Sequence, residues 1–210
     1  MLSMSEIYLI RHGEVEEKYL KVFAGRTDIG LSEVGKKQAV ATAEFLRNQS
    51  ITMAYSSPMK RVRQTVEPFE KLTSIKPVFL DELVEMDFGE WTGLSFEDVE
   101  QRYGVNAVQW LEQIEAGTIP GAETVEQLMQ RVEPALSRIL IENTRGNVAV
   151  FCHGGIIRVI LSIMLEIPLV KLGKISIGYC SINKFCVNEE GVSLRLLNYL
   201  PWKNGNLAML

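Results

Sequence analysis

The chain has 210 residues, 47% hydrophobic and 23% charged, a balance that suits one soluble globular domain over 1–210 with no linker dividing it. A net charge of −4 and a pI near 5.4 argue against a nucleic-acid partner, since phosphate-backbone affinity needs a basic surface. The longest apolar region, 156–170, carries Arg158 and Glu166 and is too short and too charged to span a bilayer. The three cysteines, Cys152, Cys180 and Cys186, are odd in number and lack CxxC spacing. No signal-peptide pattern opens the chain, so a cytoplasmic protein is expected.

In chain order, EIYLI is an apolar run that predicts a buried strand. Residues 31–49 predict a helix capped by Ser32, with Ala39, Ala43 and Leu46 at helical spacing. ITMAYSS (51–57) predicts a second strand. Pro58 then suits the first turn of a helix that Pro68 is expected to kink or end early. Residues 76–95 begin as a short strand and continue as a loop, and FEDVEQRY and AVQWLEQIEA follow with helical periodicity. A helix capped by Thr124, the apolar strand NVAVFC, a helix from Gly154 and a hairpin about NEEG complete the order. Strands alternating with helices predict an α/β protein: three layers, α/β/α, with a mostly parallel sheet and an antiparallel C-terminal strand.

The chain has two histidines, and each ends an apolar strand immediately before a glycine: LIRHG at His12 and VFCHGG at His153. Both fall at the C-terminal ends of predicted strands, the edge where open α/β sheets bind ligands. A helix starting after His153 can turn its positive end toward an anion. Basic residues Lys60, Arg61 and Arg63 lie just beyond the second strand, and several acids, Asp81, Glu82, Glu85, Asp87 and Glu90, lie beyond the third. A rim with arginines, two histidines and a carboxylate suits a dianionic ligand. The guanidinium fork matches phosphate oxygens, a neutral imidazole is a nucleophile, and a carboxyl group can protonate a leaving alkoxide. The residue types alone choose neither among the basic residues nor among the acids. Two histidines without a third ligand motif fall short of a zinc site, and neither a metal nor another cofactor is expected. The Cys152 thiol should face away from His153, because neighbours on a strand point to opposite faces. Trp91 and Trp110 are expected in the core or in a pocket wall.

LIRHGEVE, SSPMKRVRQT, LVEMDFGEWTGLS and VFCHGGIIR resemble, in order, the four signature segments of the histidine phosphatase superfamily, the phosphoglycerate-mutase-like group. The resemblance spans most of the chain. It implies that His12 is the nucleophile that becomes phosphorylated, that Arg11, Arg61 and His153 bind the transferring phosphoryl group, and that Glu85 is the proton donor. It further implies that Gly13 and Gly154 bring backbone N–H groups to the phosphate. GRTDIGLSEVGKKQA resembles another family stretch and makes Gly25 a candidate substrate contact. Where many members carry an asparagine shortly after the Arg-His-Gly motif, this chain offers Lys18 as the substitute donor. The short interval between Glu85 and His153 resembles the phosphatase branch, which includes α-ribazole and broad-specificity phosphatases. The implied activity is metal-independent hydrolysis of a small phosphomonoester, by a monomer or homodimer. The alternatives are a bisphosphoglycerate-dependent mutase and a protein phosphohistidine phosphatase or phospho-binding module.

Overall fold

The computed structural model describes residues 5–144 and 146–203. Six strands form one sheet: β1 (Ser5–Arg11), β2 (Ile51–Ser56), β3 (Val78–Phe79), β4 (Asn147–Cys152), β5 (Ile182–Asn188) and β6 (Gly191–Tyr199). Their order is β3-β2-β4-β1-β5-β6. The first four strands run parallel, β5 is antiparallel to β1, and β6 is antiparallel to β5. Parallel strands need crossovers, and helices α1 (Glu33–Arg47), α2 (Lys60–Thr73) and α5 (Val125–Glu142) supply them, while α6 (Gly154–Leu165) leads from β4 toward the antiparallel β5. Two short helices, α3 (Phe96–Tyr103) and α4 (Trp110–Glu115), lie in the long segment between β3 and α5.

The period-2 alternation of β1 sends its side chains into two cores. Ile7 and Leu9 join one apolar cluster with residues of α5, α6 and the segment between β3 and α5. Tyr8 and Ile10 join the other, with Ala43 and Leu46 of α1 and Val62, Val66 and Phe69 of α2. The expected three-layer α/β/α arrangement is thus present. Ser32 caps α1 by accepting a hydrogen bond from Gly35 N, and Thr124 caps α5 by accepting from Gln127 N.

Two local expectations change. Pro58 precedes α2 instead of lying in its first turn, since Met59 occupies the N-cap. Pro68 does not end that helix, which continues to Thr73. A helix-interior proline costs about 3 kcal/mol. Burial of Val62, Val66 and Phe69 offsets it at roughly 1.5–3 kcal/mol each. Among the described residues no helix is long and apolar enough to cross a membrane.

Candidate active site

β1, β2 and β4 are paired side by side and parallel, so their C-terminal ends meet along one edge. His12 follows β1, His153 follows β4, and Arg61 lies in the first turn of α2, just beyond β2. A cavity of about 210 Å³ opens there, lined at its polar end by Arg11, His12, Arg61, Glu85, Gly154 and Arg158.

The ring of His12 is buried, and its Nδ1 lies 2.8 Å from the carbonyl oxygen of Gly13. A carbonyl only accepts, so Nδ1 carries the proton and Nε2 carries the lone pair. Burial, and then the charges of Arg61 and Arg11, hold the imidazole pKa well below its usual value of 6.5. The nucleophilic form is therefore the populated one at neutral pH.

His153 has the same sequence signature and a different environment. It is completely buried and does not line the cavity. Arg61 Nε donates to its Nδ1 at 3.2 Å, which places the proton on Nε2, 2.9 Å from Ser57 Oγ. Its ring stands edge-on to His12 with centroids 5.3 Å apart. Both ring nitrogens of His153 thus have protein partners, and its ring packs against that of His12 and holds Arg61. Burial, followed by Arg61, His12 and Arg11, keeps it neutral.

Arg61 is spread across three partners, donating also from Nη1 to Thr27 O (2.9 Å) and from Nη2 to Gly25 O (2.8 Å). Burial pulls its pKa down to about 10, with Glu85 opposing the shift. Arg11 donates from Nη1 to Ile177 O at 2.5 Å, and its guanidinium lies 4.2 Å from the centre of the Tyr179 ring. Its buried Nε has no partner among the described residues. Such a donor is costly to leave unpaired unless a ligand meets it.

Glu85 sits in the loop after β3 with its carboxylate against the start of α6. Gly155 N donates to Oε2 at 3.2 Å, and Met86 N donates to Oε1 at 3.1 Å. A Cβ at Gly155 would lie 2.5 Å from Oε1, so glycine is what lets this carboxylate approach the helix. An ion pair outside the cavity fastens the loop. Glu123, 8% exposed, takes both forks of Arg131 at 2.6 and 2.8 Å. Arg131 Nη1 donates in turn to the carbonyls of Glu82 and Val84, and Glu123 accepts from Asp87 N at 3.3 Å. Burial opposes the Glu123 charge, but Arg131 holds its carboxyl below the usual range.

Two expected contacts are not brought in. Lys18 points into solvent, 68% exposed, with its ammonium 3.7 Å from Glu16. Gly13 does not offer its N–H, which donates to Thr65 Oγ1 at 3.0 Å. Its glycine is required for packing instead, since a Cβ there would lie 2.6 Å from Gly35 O. Gly25 and Gly154 do line the cavity. Cys152 is buried in the core cluster beneath α6, and burial raises its thiol pKa. Trp91 is buried in that core, while Trp110 lines the cavity.

Sequence reasoning missed Arg158, Tyr179, Ser57 and Thr65. Arg158 alone had a signal: a cation inside an otherwise apolar helix, one turn after Gly154. It donates to the carbonyls of Gly154, Leu172 and Ile175, and burial, then Arg11, pulls its pKa down to about 10. Three guanidiniums facing one cavity with a single carboxylate form a net positive floor.

A doubly wound sheet with this strand-end cluster defines a class, and comparison with known families gives it a name. The family model of the histidine phosphatase superfamily (branch 1) matches residues 7–200, and the chain belongs to that superfamily. It is 29% identical over 195 residues to phosphoserine phosphatase 1 of Hydrogenobacter thermophilus, covering 93% of this chain and 92% of that one. It is 30% identical over 196 residues to a bifunctional protein of Mycobacterium tuberculosis, matching 92% of this chain and 54% of that protein. The chain thus spans about half the length of that and two similar mycobacterial relatives. Among solved structures, the α-ribazole phosphatase from Shigella flexneri superposes with a TM-score of 0.80 at 22% identity, covering 92% of this chain and 96% of that one.

Proposed function

We propose that residues 1–210 act as one catalytic domain that hydrolyses a small phosphomonoester through a phosphohistidine. The observation that carries this reading is the Nδ1 contact of His12 with Gly13 O at 2.8 Å, which leaves Nε2 unprotonated beside the guanidiniums of Arg11 and Arg61. The His12 Nε2 lone pair attacks phosphorus, and the bond from phosphorus to the ester oxygen breaks. Glu85, protonated at that moment, gives its proton to the departing alkoxide. Water then attacks the phosphohistidine, Glu85 takes a proton from it, and the bond to nitrogen breaks. Phosphate leaves, and both residues return to their starting states.

Arg11 supplies the free donor and Arg61 fixed charge, so the transferring group is neutralised by side chains and the reaction requires no metal. His153 is a positioning residue that orients Arg61. The phosphatase names among the relatives support the hydrolytic reading over the mutase one.

The test is phosphate release, with EDTA present, from p-nitrophenyl phosphate, α-ribazole phosphate and 3-phosphoglycerate, with His12→Ala alongside. Turnover that survives EDTA and vanishes in the variant is the expected result. A protein that releases phosphate from none of a broad panel of esters would overturn it. Conversion of 3- to 2-phosphoglycerate would identify a mutase instead.

A further inference from the structure

The cavity has two ends of different chemistry, and two of the three cations at the polar end are anchored, each using three of its five N–H donors within the protein. All three guanidinium nitrogens of Arg61 donate within the protein, to His153 Nδ1, Thr27 O and Gly25 O. All three of Arg158 also do so, to Leu172 O, Gly154 O and Ile175 O. Neither side chain can swing outward without abandoning buried carbonyls, which is costly. Arg11 differs, because its buried Nε has no partner among the described residues. The floor therefore offers strong charge and few mobile donors, a provision for one compact anionic group.

The other end is apolar. Val22 and Phe23 from the loop after β1, and Phe88, Phe96 and Trp110 from the segment between β3 and α5, face the same cavity. The rings interlock, with centroids 4.9 Å apart for Phe23–Phe88, 4.8 Å for Phe23–Phe96 and 5.4 Å for Phe88–Trp110. Among the described residues, no charged side chain lines the cavity beyond Arg11, Arg61, Arg158 and Glu85. A second anionic group on a ligand, whether carboxylate or phosphate, would face this wall or Glu85 with no cation of its own, only the neutral donors that Tyr19, Tyr179 and Trp110 carry. A ring would instead gain apolar and edge-to-face contacts.

We infer that the site selects monophosphate esters of uncharged, ring-bearing alcohols and discriminates against esters that carry a second anionic group. The inference rests on the proposed phosphatase reading and narrows its substrate class.

The experiment compares kcat/KM for benzyl phosphate with that for O-phosphoserine and 3-phosphoglycerate, all alkyl esters, so that an activated aryl leaving group does not dominate the ratio. Benzyl phosphate is expected to be favoured by at least about tenfold, or about 1.4 kcal/mol. Trp110→Ala should shrink the preference chiefly through KM, and Trp110→Phe should restore most of it. Val22→Lys, which adds a cation at the apolar end, should raise phosphoserine turnover relative to benzyl phosphate. Equal or better turnover of phosphoserine by the unaltered protein would overturn the inference while leaving the phosphatase reading intact. Calorimetric binding of benzylphosphonate against 2-amino-3-phosphonopropionate separates the two failures. If no ester turns over, tighter binding of benzylphosphonate still supports the selectivity, and equal binding, or none, sinks it.

Discussion

Two strands at the centre of the sheet end in the same signature, an apolar run followed by His-Gly, yet the two imidazoles are built for different tasks. His12 donates through Nδ1 to a backbone carbonyl next in the chain and keeps Nε2 unprotonated at the cavity. His153 accepts from Arg61 on Nδ1 and meets Ser57 on Nε2, so nothing on its ring is left to react. Both are held neutral by burial and by the surrounding guanidiniums. The difference lies in partners that arrive from α2 and from the residue after β2. One motif therefore leaves a ring nitrogen free in the first case and uses both nitrogens in the second, which is why the proposed mechanism assigns the nucleophile to His12.

The sharpest way to break this comparison is to truncate each ring in turn. His12→Ala should reduce phosphate release by roughly 10⁴-fold or more, because the proposed mechanism passes the phosphoryl group through His12 alone. Acid-labile, base-stable labelling by a phosphorylated substrate should vanish with it. His153→Ala should cost about 10²-fold, the scale for losing one charge-orienting contact, while labelling of His12 persists. Equal losses, with labelling abolished in both, would show that the two rings share the chemistry.

Glu85 depends on a device outside the cavity, and Glu123→Gln tests it. Weakening the Arg131 pair should loosen the 82–87 loop and lower kcat by about tenfold with little change in KM. The broken buried pair should also lower stability, by roughly 3 kcal/mol. A KM effect alone would mean that Glu123 shapes binding and does not position Glu85.

The two buried imidazoles also predict a stability profile. Unfolding lets each protonate near 6.5, while in the fold each stays neutral to lower pH. The unfolded state therefore binds more protons below about 6.5, and stability should fall as pH drops through that range and be flat above it. Denaturant midpoints from pH 8 to 5 measure it, and His153→Gln should flatten the slope. The smallest effect is expected at the outer contact. Ser57→Ala removes one hydrogen bond from His153 and should lower kcat by about three- to tenfold, the equivalent of roughly 1 kcal/mol.

Much of this arrangement was legible from local pattern. Apolar runs of strand length, helical spacing in 31–49 and the caps Ser32 and Thr124 are set by neighbours in the chain, and they stand where they were expected. The recurrence of His-Gly after such runs placed both histidines at one edge, because parallel strands in an α/β sheet deliver their C-terminal ends together. The choice of Arg61 from a run of basic residues and of Glu85 among several acids came from family resemblance, since periodicity is silent on which side chain turns inward.

The succession of elements and the edge at which the chemistry gathers could be read from the residues, because both follow from short-range sterics and hydrophobic period. How each hydrogen-bonding group is used depends instead on contacts that form when the chain folds. Thr65 of α2 takes the N–H of Gly13, Lys18 turns to Glu16 and solvent, and Arg158 is folded back onto three carbonyls. The aromatic wall over the cavity joins Phe23 to residues of the distant segment between β3 and α5. Apart from Lys18, these are pairings between distant parts of the chain won by burial against competing partners, and no local pattern encodes their outcome.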